Sequence, residues 1–399
     1  MTNEIPAVRL LPKRDKRVAA GHPWVFSNEI DGDVKALPPG GTVDVFDSRG
    51  KHLGRGYANP KSLICIRLLS RRRKEDIDHP AFYVDRLLEA KRLRELLYPD
   101  RTALRVVFSE ADGLPGLVLD RYDDVITAQI STLGMEVRKP LLEEAIRTVY
   151  APRGVVLRNE APVRTLEGLE RTRGVWWGDV PDEVAFDEGG VRFTTAPLGG
   201  QKTGHFFDQF DNKRWAASRC EGQTVLDVYA NTGGWALHAL KAGATFATTV
   251  DSDGSNADRA MVNAEANGVA DRLQSIHGEG KKVLQALVGE GQRFGVVVLD
   301  PPAFAKQRKA VSSALRGYRE INTLGLTLVE HGGMFFTSTC SWHILEDRFL
   351  DEVHKAARAA GKRIRMVYRG GQASDHPVLP GVPETRYLKC FGFVVHTGA

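Results

Sequence analysis

The run Val296-Val297-Val298-Leu299 is apolar throughout and ends at Asp300, followed at once by Pro301-Pro302. Proline fixes φ and lacks an N–H, so it cannot continue a central strand, and the pair forces a rigid exit from a sheet just where a carboxylate stands. The same grammar recurs from about residue 200 onward. Strands are expected at Val225–Tyr229, Thr245–Asp251, Gln274–His277, 296–300 and Gly333–Ser338, with helical patterns at Trp235–Ala242, Ser255–Asn267 and Arg316–Val329 between them. Strands alternating with helices predict an α/β, doubly wound parallel sheet, whose ligands sit beyond the strand C-termini.

Ahead of that sheet the chain reads differently. Residues 1–74 look all-β: Gly40–Asp47 alternates as a strand, turns at Ser48-Arg49-Gly50, and a further strand follows at Leu63–Leu68. Residues 75–200 read as a central α+β unit. A helix is expected to start at Asp78-His79-Pro80 and stop at Pro99, followed by strands at Arg105–Phe108, Gly116–Arg121, Val125–Ser131 and Gly154–Arg158, with a helix over Glu136–Tyr150. The expected organisation is therefore 1–74, 75–200 and 201–399.

Charge is unevenly spread. Residues 1–74 carry 15 Lys/Arg against 7 Asp/Glu, whereas the other 325 residues carry 40 against 43. A basic module ahead of a near-neutral body points to a polyanionic partner. Lys13, Arg14, Lys16 and Arg17 form one cluster and Arg71, Arg72 and Arg73 another; two clusters bracketing one small module tilt the reading from solvated surface toward RNA. Trp24, between them, is a stacking candidate, although an aromatic in so small a barrel is more often core. No apolar run approaches the ~20 residues that cross a bilayer, and the first residues resemble no targeting leader. The four cysteines are scattered without a CxxC pair, which argues against a zinc ribbon or disulfide scaffold and suits reduced thiols in a cytoplasmic protein.

The first crevice loop, Asn231-Thr232-Gly233-Gly234, lacks the G-x-G-x-x-G fingerprint of a pyrophosphate-bearing dinucleotide. Its glycines still let backbone approach a ligand closely. Asp251, ending the next strand, is placed to accept ribose hydroxyls, and Glu279 after the third strand to face an adenine. Those features suit S-adenosylmethionine, which has a ribose and an adenine but no phosphate. The expected cofactor edge comprises Asp227, Tyr229, Asn231, Thr232, Gly233, Asp251, Glu279 and Asp300.

Cys340 lies in the polar run Ser338-Thr339-Cys340-Ser341 at the end of the last expected strand, with Asp300 at the end of its neighbour. C5 of cytosine is too weak a nucleophile to take a methyl unaided; a thiolate adding at C6 makes it enamine-like. A strand-end thiol, a strand-end carboxylate and a methyl-donor crevice are the equipment for that reaction. Where amino-methylating enzymes typically place an aromatic after Pro-Pro, this chain has Ala303, with Phe304 one step later, which favours C5 chemistry. Cys340 and Asp300 are accordingly the catalytic candidates, with no metal expected.

The motifs resemble one family over nearly the whole chain. Ala111–Gly116, Lys202–Gln209, Asp300-Pro301-Pro302, Arg316–Asn322, Thr339-Cys340-Ser341 and Ala373–Pro377, in that order, are similar to the RlmI-type large-subunit ribosomal RNA cytosine-5 methyltransferases. The resemblance implies an N-terminal PUA-type RNA-binding domain, a central EEHEE-type domain and a C-terminal class I methyltransferase, as a homodimer acting on ribosomal RNA. It also implies that the Lys202–Gln209 stretch, with Lys202, Thr203, Phe207, Asp208 and Gln209, lines the S-adenosylmethionine pocket, and that Cys340 is the single catalytic cysteine. A guanine-directed methyltransferase on the same scaffold, which needs no thiol, and a non-catalytic RNA-binding assembly factor are the alternatives.

Overall fold

The computed structural model describes residues 4–199, 204–305 and 307–398. Lys202 and Thr203 lie outside the described residues.

The chain divides into two compact units, one of Met1–Phe186, Thr195–His205 and Ser374–Thr385, the other of Asp187–Thr194, Phe206–Ala373 and Arg386–Ala399. The first unit contains two sheets. One has six strands in the order Trp24–Phe26, Ile64–Ser70, His52–Ala58, Thr42–Phe46, Ala7–Leu10, Ile30–Asp31. Its inward-facing Leu10, Val25, Val43, Val45 and Ile66 are fully buried and form one apolar core. The other sheet has five strands adjacent in chain order: Ala103–Phe108, Leu117–Tyr122, Val125–Ile130, Gly154–Asn159 and Thr172–Gly178. The parallel step from Val125–Ile130 to Gly154–Asn159 requires a crossover, which the helix Lys139–Tyr150 supplies, so three strands precede the helix and two follow it. That helix is shorter than the expected 136–150: Pro140 sits in its first turn, after a separate short helix at Leu133–Val137. The long helix Pro80–Leu97 is capped by the His79 imidazole, which accepts the N–H of Ala81, rather than by Asp78.

The second unit is built on seven strands: β1 (Thr224–Val228), β2 (Phe246–Asp251), β3 (Leu273–His277), β4 (Phe294–Leu299), β5 (Val329–Thr339), β6 (Lys362–Gly370) and β7 (Lys389–Thr397). Six helices connect or flank them: α1 (Phe210–Ala217), α2 (Gly234–Lys241), α3 (Gly254–Ala266), α4 (Gly280–Gly289), α5 (Val311–Leu328) and α6 (Glu346–Ala359). The strand order is β3-β2-β1-β4-β5-β7-β6. β1 to β5 pair in parallel as expected, but β7 is antiparallel to both β5 and β6. The fully parallel sheet read from the sequence is corrected there. The last strand returns as a hairpin partner of β6 and wedges itself beside β5, a topology that periodicity alone does not encode. Because the chain order reverses between β1 and β4, a crevice opens at their C-terminal ends.

Candidate active site

β4 is buried along its whole length and β1 from Val225 onward, because helices cover both faces of the sheet. Their last residues deliver the chemistry to the rim. After β1 the backbone takes two left-handed conformations at non-glycine residues, Tyr229 (φ 67°) and Asn231 (φ 50°), followed by Gly233 (φ 85°). Such strain persists only where surroundings enforce it. Here the N–H groups of Tyr229 and Ala230 both donate to Val250 O at 2.9 and 3.0 Å, and the N–H of Asn231 donates to Asp251 Oδ2 at 2.8 Å. Asp251 also accepts from the Asp253 N–H and from Asn256, so it holds both crevice loops and remains half-buried at the rim. Asn231 is half-buried beside it, whereas the Thr232 and Gly233 side of the loop is packed inward.

Asp227 corrects the sequence reading. It is fully buried, and its carboxylate accepts the N–H of Ala236 in the first turn of α2 at 3.1 Å. Burial, with the charges of Asp300 and Asp251 behind it, pushes its carboxyl up to about 7. It anchors the loop from beneath through that hydrogen bond. Phe207 is likewise core, at 2% exposure. Glu279 is exposed and pairs with Lys282 at 3.0 Å, a surface position at the start of α4.

The segment after Phe206 brings Asp208 and Gln209 to the same rim. Asp208 Oδ2 accepts the Tyr387 hydroxyl at 2.5 Å, while Asp208 Oδ1 is buried and has no partner. Gln209 Nε2 donates to Asp300 Oδ1 at 2.8 Å and to Ser338 Oγ at 3.3 Å, bridging the ends of β4 and β5. The Trp235 indole N–H approaches Asp300 Oδ2 at 3.4 Å. Burial pushes the Asp300 carboxyl up to about 6, and the charge of Asp208 adds to it, against the two hydrogen bonds. A crevice crowded with carboxylates, one of them with an unused oxygen, fits a cationic ligand such as S-adenosylmethionine, which carries a sulfonium and an ammonium. Of the residues present, Asp208, Asn231 and Asp251 are the ones positioned to hold it.

Leu299 pairs with Thr337, so Asp300 and the Thr339-Cys340-Ser341 turn leave adjacent strands at one rim. Cys340 is half-buried. The other three thiols are enclosed, and burial pushes Cys65 up to about 11 and Cys220 and Cys390 each up to about 12. Cys340 is the one cysteine among the described residues that is not enclosed.

Two residues at this turn escaped the sequence reading. Lys389 in β7 pairs with Thr339 across the sheet and is only 9% exposed. Its ammonium donates to the carbonyls of Ser341 and Tyr387, both at 3.3 Å, and burial lowers its pKa below the usual lysine value. A cation is thus held beside Cys340. Tyr318 in α5 is fully buried; its hydroxyl accepts from Thr339 Oγ1 at 2.9 Å and meets Ser341 Oγ at 3.3 Å, and Phe304 stacks on its ring. The Ala305 N–H reaches Ser341 Oγ at 3.4 Å, which ties the turn after Pro301-Pro302 to the cysteine turn.

The basic residues of the first unit separate into two sets. Lys13, Arg14, Lys16 and Arg72 are exposed. Arg71 instead spends three donors on the carbonyls of Val18, Leu53 and His22, at 2.8–3.0 Å, and Arg17 pairs with Glu29 and donates to Trp24 O. Arg73 lies over the Phe46 ring. Arg17 and Arg71 thus brace their own module, Arg71 while remaining exposed. Trp24 is half-buried, and its indole N–H donates to Glu110 at 2.9 Å, so it joins the two sheets of this unit. The motif around Asp375 is structural too. Its buried carboxylate accepts the Arg105 N–H at 3.0 Å and His376 Nδ1 at 2.8 Å, and its carbonyl accepts Arg94.

A PUA-like domain model matches residues 8–71, and the model named Conserved hypothetical protein 95 matches residues 197–356. The ribosomal RNA large subunit methyltransferase I of Photobacterium profundum is 36% identical over 394 residues, covering 98% of this chain and 99% of its own. The protein of that name from Alteromonas mediterranea is 37% identical over 385 residues, covering 96% and 97%. The chain belongs to the ribosomal RNA large subunit methyltransferase I family. Among solved structures, a Streptococcus mutans protein assigned as a SAM-dependent methyltransferase superposes with a TM-score of 0.82 at 18% identity, over 98% of this chain and all of its own. A second, assigned as a methyltransferase and complexed with SAH, gives 0.83 at 18% identity, over 98% of this chain and all of its own. The second unit thus has the fold of an S-adenosylmethionine-dependent methyltransferase, preceded by a PUA-like all-β module.

Proposed function

We propose that this chain methylates C5 of a cytosine in large-subunit ribosomal RNA, with Cys340 as the nucleophile. The observation that carries the reading is the pairing of one reachable thiol with Asp300 at the ends of adjacent strands, Lys389 standing behind it. Bound S-adenosylmethionine supplies an electrophilic methyl group and leaves as the neutral thioether. Cys340, as thiolate, adds to C6 of a base turned into the crevice, which places electron density on C5 for methyl transfer. A water molecule in the crevice then takes the C5 proton while the C6–S bond breaks, which restores the aromatic ring and the Cys340 thiolate. Asp300 accepts a hydrogen bond from the N3/N4 edge of the base, favouring protonated N3 while the thiolate adds. Lys389 holds the thiolate by its charge. In the first unit, Lys13, Arg14, Lys16 and Arg72 contact phosphates without reading sequence. The protein is proposed to work in the cytoplasm as a homodimer.

The test is covalent capture. RNA carrying 5-fluorocytosine has no C5 proton to lose, so an adduct to Cys340 should accumulate and be mapped by mass spectrometry. Methylation of C5 at a substantial fraction of the wild-type rate by Cys340→Ala would overturn the assignment.

A further inference from the structure

At the edge of the sheet in the second unit, a pocket of about 350 Å³ is lined by His354, Arg358, Lys362, Arg363, Arg365 and His396, together with Ala357 and Ile364. No lining residue is acidic. Among the described residues, Arg358, Arg363 and Arg365 take part in no ion pair, and all three are exposed. The contrast within α6 is sharp: Lys355, one turn earlier, is paired with Asp351 and Glu352 at 2.7 and 2.9 Å.

The fold builds this crowding from three elements. Arg358 comes from the last turn of α6, where the helix dipole favours a cation. Arg363 lies opposite His396 in the β6–β7 pairing, with Arg365 two residues along on the same face. Lys362 is anchored by donating to Val329 O at 2.8 Å, and Arg293 stands near enough to lower its pKa further after burial has done so. Burial and the neighbouring Arg365, His331 and Arg363 lower the His396 imidazole as well. Like charges held together without carboxylates cost free energy in the unbound protein, and an anion relieves it. Guanidinium groups that can approach one site from several directions match phosphate oxygens, which they bind by paired N–H donors.

The pocket is not part of the crevice. β6 runs parallel to β5, because both are antiparallel to β7, so Lys362–Arg365 at its start lie at the end of the sheet opposite Cys340. The nine residues of β6 put roughly 25 Å between the two ends at ~3.3 Å per residue. We propose that this pocket docks the phosphodiester backbone of the RNA substrate, a second anchorage that a large folded RNA reaches while its target base occupies the crevice. The inference rests on RNA being the substrate.

The experiment compares the full chain with R358Q/R363Q/R365Q in fluorescence-anisotropy titrations of a labelled structured RNA over a range of salt. Each phosphate that the protein no longer neutralises flattens the slope of log affinity against log salt by roughly 0.7–0.9, so the triple variant should lose about 2 from the slope. A variant with lysine at all three positions should keep most of it, and S-adenosylmethionine affinity should stay unchanged in both. Equal slopes for wild type and the glutamine variant would overturn the docking site alone. A wild type that binds RNA with no steep salt dependence would overturn the substrate reading, and this inference with it. Calorimetry with inorganic phosphate separates the remaining source: saturable binding abolished in the variant, with the RNA slope intact, would make the pocket a small-anion site and overturn the RNA assignment. Sedimentation on both proteins would overturn it likewise if the variant altered self-association and left RNA affinity untouched.

Discussion

Asp227→Asn tests directly whether the first crevice carboxylate is a ligand or an anchor. The side chain is fully enclosed, and its carboxyl sits at about 7 against an ordinary 3.8. A raised pKa means that the folded protein holds the proton more tightly than the unfolded chain. The associated stability is fully present below 3.8 and is lost as pH rises through about 7. Three units correspond to about 4 kcal/mol in total, of which about 2–3 kcal/mol is lost between pH 5 and 8.5. Asparagine keeps the acceptor for the Ala236 N–H but cannot ionise. Its amide also buries a donor where Asp227 Oδ1 has no partner, a constant cost of about 1–3 kcal/mol at every pH.

The informative quantity is therefore the difference in pH dependence. In urea titrations followed by tryptophan fluorescence, the gap between variant and wild type should shift in the variant's favour by about 2–3 kcal/mol from pH 5 to pH 8.5. S-adenosylmethionine affinity at pH 8 should change only a few-fold. Parallel stability curves would show that Asp227 is not a strained buried acid. A loss of more than tenfold in cofactor affinity with an unchanged fold would restore it as a direct ligand.

Cys340→Ala should keep cofactor and RNA affinity and lose turnover by several orders of magnitude, because only the covalent step is removed; single-turnover methylation alongside both binding assays checks this. Asp300, with its carboxyl at about 6, stabilises protonated N3 by its negative charge only when ionised, so the rate should fall as pH drops through about 6. Asp300→Asn should abolish that acid limb and depress the rate far more than cofactor binding. Lys389→Met should raise the midpoint pH for iodoacetamide alkylation of Cys340 by about one unit and slow turnover at pH 7, both partly restored by arginine. Tyr318→Phe should lower the methylation rate about tenfold with cofactor affinity unchanged; a variant that loses only thermal stability would make the hydroxyl merely structural.

The second unit was legible as an α/β sheet because strands buried on both faces, such as 296–299, leave an unbroken apolar run, and because glycine and proline mark their exits. Expected and observed strands 1 to 4 agree within two residues. β6 and β7 were not read. β6 is an edge strand with Arg363, Arg365, Met366 and Val367 exposed, so it shows no clean alternation, and β7 is paired in a direction that its own residues do not specify. The split helix at Arg138 escaped for a related reason. The Arg138 guanidinium is buried on the carbonyls of Gly40 and Gly134, a tertiary anchor from nearly 100 residues away.

The site divides along the same line. The strand-end placement of Cys340 and Asp300 was readable, since each closes a strand in its own local motif. Lys389 and Tyr318 were not, because nothing near either residue in sequence announces chemistry; each acquires its role from a register. Thr339 faces Lys389 across one pairing, and α5 lays Tyr318 under the turn that holds Ser341. Asp227 and Arg71 fail in the opposite direction. Both stand in motifs that look functional, yet Asp227 is fully enclosed with one oxygen held by an N–H of α2, and Arg71 spends donors on three carbonyls. A charged side chain in a functional-looking motif is available to a ligand only if the fold both leaves an acceptor unspent and brings it toward the surface; Asp208 and Asp227 each keep one buried oxygen unpaired, and full enclosure beneath the loop is what separates Asp227 from the half-buried Asp208.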